Sequence, residues 1–265
     1  MTAAQSSEPA VQIVGLSKRF ERDGRSVEAI ADLSLEVQSG EFVTVLGPSG
    51  CGKSTMLHIV GGFETPTDGV VMAHGEPVRG PGRDRGLVFQ TPTLFPWKTI
   101  VKNVSWFVEV DGVGRRAARD RARELLSLVG LGDFADSYPS ELSGGMRQRA
   151  ALARTLALDP RVLLMDEPFG ALDALTREQM QEELNRIWQA SGLTVIFITH
   201  DINEAIFLGD RVVVMSPRPG RMIEDLRIDL PRPRHSDAKK STAAWEYHGH
   251  FWDLLRVQEE QAAAR

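Results

Sequence analysis

The residues best suited to chemistry lie in a glycine-rich run at positions 47–55, with the sequence GPSGCGKST. The run matches the phosphate-binding pattern G-x-x-x-x-G-K-[ST]; an apolar stretch at 41–46 precedes it and a helical pattern at 54–60 follows it. Its glycines lack a Cβ, so the backbone can turn tightly and approach a phosphate closely. The residues assigned to this site are Gly47, Pro48, Ser49, Gly50, Cys51, Gly52, Lys53, Ser54 and Thr55.

Two side chains of this run would have specific chemical roles. Lys53 would bring a full positive charge toward the β- and γ-phosphates of a nucleotide, and Ser54 would offer its hydroxyl to Mg²⁺. Cys51 is interpreted as a small residue that fills the loop. It is the single cysteine of the chain, so no internal disulfide is possible and a cysteine-based metal site is not expected, which fits a reducing compartment.

A pair of carboxylates, Asp166 and Glu167, follows the apolar run VLLM at 162–165. In a chain with a phosphate-binding loop, acidic residues at the end of a buried strand are placed to reach the Mg²⁺ shell. We expect Asp166 to hold the ion through water and Glu167 to polarise the attacking water as a general base. The alternative is a strand that simply ends in solvated charges.

A second phosphate-recognition device is expected at 140–146, with the sequence SELSGGM. Ser143 can cap the helix that follows, and Gly144 and Gly145 leave room for a γ-phosphate. One nucleotide does not need two helix N-termini from such distant parts of one chain. We therefore expect this loop to serve the nucleotide bound on a partner subunit.

The composition of the 265-residue chain is that of an ordinary globular protein, with 42% hydrophobic and 25% charged residues. A formal net charge of -5 and a pI of about 5.7 argue against a nucleic-acid-coating function, which needs a basic face. The N-terminus lacks the pattern of a signal peptide, and no apolar run approaches the length of a membrane span. We expect a soluble, cytoplasmic chain that reaches a membrane only through a partner.

The elements that must position these residues change in type along the chain. Strands are predicted at 11–15, 29–37, 41–46, 69–73 and 85–90, with a hairpin turn at Asp23-Gly24 between the first two. Helices are predicted around 118–129 and at 146–158. Buried strands at 162–165 and 193–199 and a strand at 211–215 then alternate with helices at 174–191 and 203–208.

This order predicts an α/β fold with an antiparallel β part and a helical insertion. Residues 1–10 are expected to be disordered, and 11–230 to form the main domain, with a helical subdomain at about 92–158. From 231 to 265 the chain is polar and rich in proline and arginine, with an amphipathic end. This tail is shorter than the roughly 50 residues of an independent domain, so no regulatory domain is assigned to it.

The ordered set GPSGCGKST, LSGGM, VLLMDEP, Ala171-Leu172-Asp173 and His200 after LTVIFIT resembles the ATPase subunit of ATP-binding cassette (ABC) transporters, over roughly residues 11–225. The resemblance implies a P-loop NTPase (RecA-like) core with an antiparallel β subdomain and an inserted α-helical subdomain. It also implies a homodimer that closes on two ATP molecules with Mg²⁺ and opens after hydrolysis. This cycle would drive the conformational change of a membrane permease.

The same resemblance implies further site residues. Phe20 would stack on adenine, although a core or edge aromatic is the alternative. Gln90 would touch Mg²⁺ and the attacking water, which makes Ser54, Gln90 and Asp166 the metal set. Asp173 would communicate across the dimer. His200 would contact the γ-phosphate, although a hydrogen-bonded histidine at a strand end is the alternative; the implied catalytic set is Lys53, Gln90, Glu167 and His200.

One departure from the commonest family signature, LSGGQ, narrows the resemblance. Met146 takes the last place and cannot reproduce the hydrogen bonds of an amide. The form LSGGMRQR, together with 94–97 and 216–221, resembles importers of nitrate, sulfonate and taurine. Leu94, Phe95 and Trp97 would then form a socket for a helix of the permease, or else anchor a buried loop. A periplasmic or extracellular substrate-binding protein would be an indirect partner, and the chain would sit on the cytoplasmic face of the cell membrane.

Other functions remain possible from the sequence. The chain could be a cytosolic ABC ATPase without a permease, or the importer subunit for another small molecule. A small-molecule kinase with a phosphate loop would have no use for the LSGGM helix. His248 and His250 could suggest a metal site, but they have no third ligand nearby in the sequence.

Overall fold

The computed structural model describes residues 8–22, 24–170 and 172–263 of the chain. Residues 1–7 of the stretch expected to be disordered lie outside the described residues, as do Asp23 of the predicted turn and Ala171 of the family motif. Ala10, which the expectation of disorder included, is fully buried, and its carbonyl accepts a hydrogen bond from the backbone N–H of His74. The packed fold therefore begins before residue 11.

The described chain contains two sheets and a set of helices. The strands are β1 (Val11–Arg22), β2 (Arg25–Val37), β3 (Phe42–Leu46), β4 (Asp68–Ala73), β5 (Glu76–Pro77), β6 (Arg85–Val88), β7 (Val162–Asp166), β8 (Thr194–Thr199), β9 (Arg211–Met215) and β10 (Met222–Arg227). The α-helices are α1 (Lys53–Val60), α2 (Ile100–Val110), α3 (Arg115–Leu128), α4 (Gly144–Leu156), α5 (Ala174–Ser191), α6 (Ile202–Leu208) and α7 (Thr242–Ala263).

The smaller sheet is antiparallel, with four strands in the order β2-β1-β4-β5. β1 continues to Arg22, beyond its predicted end at residue 15, because register shifts between Ile13 and Arg19 let it bend and keep its pairing with β2. The charged residues after position 15 concealed this extension in the sequence. As a result, Phe20 is held on a strand, opposite Val27 of β2.

The larger sheet has six strands in the order β10-β9-β3-β8-β7-β6, and all neighbours except β10 and β9 run parallel. Every residue of β3, β7 and β8 is buried, as expected for parallel strands covered on both faces. The carboxyl ends of these three adjacent strands lie at the same edge. That edge carries the glycine-rich loop after Leu46, then Asp166 and His200.

Helices α2, α3 and α4 lie between β6 and β7, in the stretch expected to form a helical subdomain. Their apolar faces share one cluster with the sheet, in which Val104 and Leu126 accompany Leu163 of β7. Helix α4 begins at Gly144, before the predicted start, because the Ser143 hydroxyl accepts a hydrogen bond from the Met146 N–H and caps the helix there.

The tail after residue 230 is mostly helical and shares a core with the sheet. It follows β10, which the sequence did not predict and which is defined by its antiparallel pairing with β9. Phe251 of α7 is fully buried in a cluster with Ile206 of α6 and Val214 of β9. In the described part of the chain, no helix is both long enough and apolar enough to cross a membrane.

The turn between β9 and β10 braces the glycine-rich loop. The Gly220 N–H donates to Ala29 O at 2.9 Å, and the Ala31 N–H donates to Gly220 O at 3.0 Å, so this turn joins the larger sheet to β2. A Cβ on Gly220 would overlap the carbonyl oxygen of Cys51. The close approach of two backbones therefore requires glycine at this position.

Replacing Gly220 with alanine should lower the free energy of unfolding by about 2 kcal/mol, because the Cys51 backbone cannot move without distorting the glycine-rich loop. Urea unfolding followed by circular dichroism measures the change. Gly80→Ala is the matched control, since a Cβ at Gly80 has no described atom within 4 Å. Equal stability of the two variants would contradict the bracing of the loop.

Candidate functional site

The glycine-rich loop ends at the start of α1, where backbone donors are open. Gly52 precedes the helix with φ 104°, and a Cβ there would meet Ala29 O at 2.8 Å, so both the backbone and the space require glycine. No side chain caps the helix, which leaves the first N–H groups available to an anion. The buried Lys53 Nζ donates to Gly47 O at 2.7 Å and to Pro48 O at 2.9 Å. Positive charge and helix donors therefore converge at one point.

A cleft of about 400 Å³ lies over this loop and reaches the antiparallel sheet. It brings together many of the predicted residues: Phe20, Ser49, Gly50, Gly52, Lys53, Ser54, Thr55, Gln90 and Glu167. Gly47, Pro48 and Cys51 are not among its lining residues in the described chain. Cys51 is 1% exposed, and a Cβ on Gly47 would meet Met215 O at 2.8 Å, so these two positions support the loop from beneath.

The oxygen atoms needed by a magnesium ion meet beside Lys53. Ser54 Oγ donates to Asp166 Oδ1 at 2.9 Å. Burial raises the pKa of Asp166, and the hydrogen bond from Ser54 opposes that rise. A hydroxyl and a buried carboxylate form the donor set that Mg²⁺ prefers, so the residues present fit this ion. Gln90 lies near Glu167, the residue after Asp166. A Cβ built on Gly170 would be 4.0 Å from Gln90 Nε2 and 4.0 Å from Glu167 Oε2.

Glu167 is held in an unusual backbone conformation. Its φ is 42°, in the left-handed region that non-glycine residues adopt rarely, and such strain concentrates at functional sites. The Glu167 N–H donates to Ile198 O of β8 at 3.1 Å, which holds this conformation. Glu167 Oε2 lies 3.1 Å from His200 Nδ1. The two predicted catalytic side chains are thus in hydrogen-bond contact.

Phe20 lines the cleft and is 40% exposed, so it is not a core aromatic. Lys18 Nζ lies 4.9 Å from its ring centroid. The ammonium is itself fixed, since it donates to Glu64 Oε1 and Thr65 O, both at 2.8 Å. The Phe20 ring therefore packs against a fixed ammonium and keeps part of its surface open.

Three lining residues were not predicted from the sequence: Val27, Ala29 and Arg218. Arg218 belongs to the turn between β9 and β10, two positions before Gly220. In the sequence, the run at 216–221 indicates only a resemblance to the importer subgroup. Its contact with β2 depends on tertiary pairing, and no local signal in the sequence could place it over the glycine-rich loop.

The LSGGM loop lies outside the cleft. In the described structure, the cleft is not lined by Ser143, Gly144 or Gly145. A Cβ on Gly144 would have no described atom within 4 Å, so the backbone at the start of α4 is open. Gly145 is different: a Cβ there would meet Thr176 Cγ2 at 2.7 Å. A glycine at this position therefore also leaves room for α5 of the same chain, which is a reason that the sequence did not predict.

Asp173 also has a structural part within the chain. Its Oδ1 accepts a hydrogen bond from the Thr176 N–H at 3.0 Å and caps α5. Hydrogen bonds from the backbone and the side chain of Thr176 lower the pKa of the Asp173 carboxyl. Asp173 and Gly145 therefore contact the same residue, which links the starts of α4 and α5.

The two tail histidines, His248 and His250, each contact another side chain. His250 Nε2 lies 3.2 Å from Glu224 Oε1, and His248 stacks on Trp252. Among the described residues, no group of three histidine, cysteine, aspartate or glutamate side chains could hold a metal ion.

Known proteins share this fold and these motifs. A family model described as "ABC transporter" matches residues 30–170. A taurine import ATP-binding protein of Rhizobium johnstonii is 53% identical, with 80% of each chain covered. A nitrate import ATP-binding protein of Synechocystis sp. is 43% identical, with 95% of this chain and 97% of the relative covered.

Among solved structures, the dimeric post-hydrolysis state of an ATP-binding cassette bound to ADP and phosphate has a TM-score of 0.75 and 34% identity. The match covers 82% of this chain and 98% of the other. These likenesses confirm the predicted P-loop NTPase fold and the resemblance to the nitrate, sulfonate and taurine importer subgroup. The chain belongs to the ABC transporter family, as one of its ATP-binding proteins.

Proposed function

We propose that the chain is the ATP-hydrolysing subunit of an importer that takes up a small anion, such as taurine, another aliphatic sulfonate or nitrate, through a membrane permease. The observation that carries this proposal is the single cleft that gathers Lys53, Ser54, Gln90 and Glu167, with Asp166 bonded to Ser54 behind them. The anionic substrate is supported by the names of the taurine and nitrate relatives. Substrate choice itself would belong to the permease and to a substrate-binding protein outside the cell membrane.

In the proposed reaction, the open N–H groups of the glycine-rich loop and Lys53 bind the β- and γ-phosphates. Mg²⁺, held by Ser54, Asp166 and Gln90, would neutralise charge that develops on the phosphates. Glu167 orients the attacking water and accepts its proton as general base. His200 keeps Glu167 in place and donates toward the γ-phosphate.

Adenine would stack on the exposed part of the Phe20 ring, which lines the same cleft. Arg218 also lines the cleft and would add positive charge for the nucleotide. The cleft volume of about 400 Å³ is within the range of small-molecule sites.

A second copy of the chain would complete each site. Gly144 and the capped start of α4 are open but lie outside the cleft of their own chain, so they are free to meet a nucleotide bound elsewhere. We propose that Ser143, Gly144 and Gly145 bind the γ-phosphate on the partner. Asp173 would report this contact to α5. The solved neighbour described above is a dimer, which supports this arrangement.

The permease would dock on an aromatic cluster at the helical insertion, formed by Phe95, Trp97, Trp106 and Phe107 and called here the docking cluster. The Phe95 backbone is anchored by Asn103, with Phe95 N to Asn103 Oδ1 at 2.7 Å. Trp97 projects from this anchor and is 71% exposed. A fixed base with an exposed aromatic suits a partner helix at the cytoplasmic face of the membrane. The loop that carries it begins just after Gln90, which would couple docking to the nucleotide.

Glu167→Gln should retain Mg²⁺-ATP binding and lower ATP hydrolysis by at least about 100-fold, because the amide cannot accept the proton of the attacking water. Phosphate release measures hydrolysis, and light scattering should show a stable dimer in ATP. The control is Glu124→Gln, an exposed glutamate on α3 that pairs with a neighbouring arginine. Hydrolysis near the wild-type rate in Glu167→Gln would contradict the proposed function.

Asp166→Asn should abolish Mg²⁺-dependent hydrolysis and stabilise the nucleotide-free protein at neutral pH. Because burial raises the folded-state pKa of Asp166, its ionised form is disfavoured in the folded protein, and stability falls as pH rises through that pKa. The gain from asparagine should therefore be larger at pH 7.5 than at pH 3.8, the ordinary pKa of an aspartate, as measured by urea unfolding. A loss of stability at both pH values would contradict this account of the carboxylate.

Trp97→Ser should lower recovery of a multi-span membrane protein with the tagged chain by about tenfold, since a central aromatic anchor at an interface contributes on the order of 1–2 kcal/mol. The measurement is a pull-down from gently solubilised native membranes, quantified by mass spectrometry. Trp245→Ser, which removes a tryptophan of similar exposure on α7, is the control and should recover the permease normally. Recovery of soluble partners alone with the wild type would instead favour a cytosolic ABC ATPase.

A further inference from the structure

The segment at residues 231–241, with the sequence PRPRHSDAKKS and called here the C-terminal clamp, crosses the outside of α5 and α6. It joins β10 to α7 and carries four basic side chains. Arg232, Arg234 and Lys239 contact the two helices, whereas the Lys240 side chain is 81% exposed and pairs with Asp237. The nucleotide cleft uses none of these four, so their contacts need another explanation.

Arg234 caps the C-terminal end of α6. The residue is 3% exposed, and its Nη1 donates to Ile206 O at 2.8 Å and to Gly209 O at 2.6 Å, while Nη2 donates to Ile228 O at 3.2 Å. The last carbonyls of a helix have no partner within it, and a positive charge there is favourable. Burial lowers the pKa of Arg234 to about 10, so it stays charged at neutral pH.

Arg232 ties the same end of α6 to α5. Its Nη2 donates to Leu208 O at 2.6 Å and to Asp210 Oδ1 at 2.8 Å, and its Nη1 donates to Asn185 Oδ1 at 2.8 Å. The guanidinium carbon lies 4.5 Å from the ring centroid of Trp188. The two arginines together fix where α6 ends.

Lys239 begins a chain of hydrogen bonds that leads back to the start of α6. Its Nζ donates to Gln181 Oε1 of α5 at 2.7 Å, and it lies 4.4 Å from the ring centroid of Phe207. Gln181 Nε2 in turn donates to Glu204 Oε1 of α6 at 2.9 Å. Gln181 and Glu204 are both buried. The bond from Lys239 therefore sets which way the Gln181 amide faces.

Glu204 connects this chain to the backbone around His200. The Thr199 hydroxyl donates to Glu204 Oε2 and accepts a hydrogen bond from the Asp201 N–H at 3.0 Å. The Glu204 carboxylate thus holds Thr199 directly and Asp201 through the Thr199 hydroxyl, and these two residues flank His200. Burial raises the pKa of Glu204, and the bonds from Thr199 and Gln181 oppose that rise. An unpaired carboxylate at this depth would disturb Thr199 and, with it, the contact of His200 with Glu167.

We propose that the C-terminal clamp positions His200 for hydrolysis, through Lys239, Gln181 and Glu204, with Arg232 and Arg234 fixing α6 as the frame. These residues are positioning residues, since none of them lines the nucleotide cleft in the described chain. The inference rests on the proposed function, because it concerns the same hydrolysis step. It assigns to the end of the chain a part in the rate of that step and none in ATP affinity.

Lys239→Met in the full-length protein tests the clamp, because methionine keeps contact with Phe207 but cannot donate to Gln181. The kcat of ATP hydrolysis should fall about fivefold, as for other network residues remote from a ligand, while the KM for ATP stays unchanged. Lys239→Arg should restore most of the rate, since it restores a charged donor. Arg234 is not used, because loss of its buried contacts could unfold α6.

Lys240→Met is the matched control and should have wild-type kcat, KM and thermal midpoint. A Lys239→Met protein with wild-type kcat would overturn the clamp and leave the proposed function intact. A fall in kcat that only follows a loss of folded protein, read from circular dichroism, would also overturn it. Absence of hydrolysis in the wild type would instead contradict the proposed function itself.

Discussion

Parallel pairing of three fully buried strands is the constraint on which the rest of the structure depends. Leu46 of β3 pairs with Thr199 of β8, and Asp166 of β7 pairs with Ile198 of β8. The pairing brings the glycine-rich loop, Asp166 and His200 to one sheet edge, although they are far apart along the chain. The strands can be this apolar because helices cover both faces, so the ends are the only places where polar side chains can gather. The cleft, the braces around it and the clamp behind it all act on that edge.

The edge is assembled from groups that are individually unfavourable. Asp166 is buried and its pKa is raised, Glu167 has a left-handed backbone, and Lys53 is buried against carbonyl oxygens. Each persists because a rigid neighbour holds it: Ser54 bonds the Asp166 carboxylate, and β8 accepts the Glu167 N–H. Such a site is prepared for a ligand that brings the opposite charges, since a Mg²⁺-nucleotide would satisfy groups that the protein alone satisfies incompletely.

The motifs at strand ends could be predicted because their signal is local. Glycines at fixed spacing and acidic residues after an apolar run need no knowledge of distant contacts. The reach of β1 to Phe20, the pairing of β10 and the position of Arg218 could not be predicted, since each depends on a partner strand or turn elsewhere. The contact of Gly145 with Thr176 could not be predicted either, because it depends on how α5 packs against the start of α4. The composition of the tail predicts a polar segment. The structure instead places its arginines against backbone carbonyls, which no sequence pattern reveals.

The cap that Arg234 places on α6 has a consequence for the order in which the molecule is made. α6 follows directly after His200, yet its last carbonyls are satisfied by a residue that is translated only after β9 and β10. A ribosome that has finished the phosphate loop, the signature loop and His200 has therefore not yet supplied the group that completes the helix beside them. Folding of this sheet edge is therefore tied to the synthesis of the chain as far as Arg234, as expected for a domain that folds as a unit. Truncated translation products would carry every nucleotide-binding motif and still lack a finished edge.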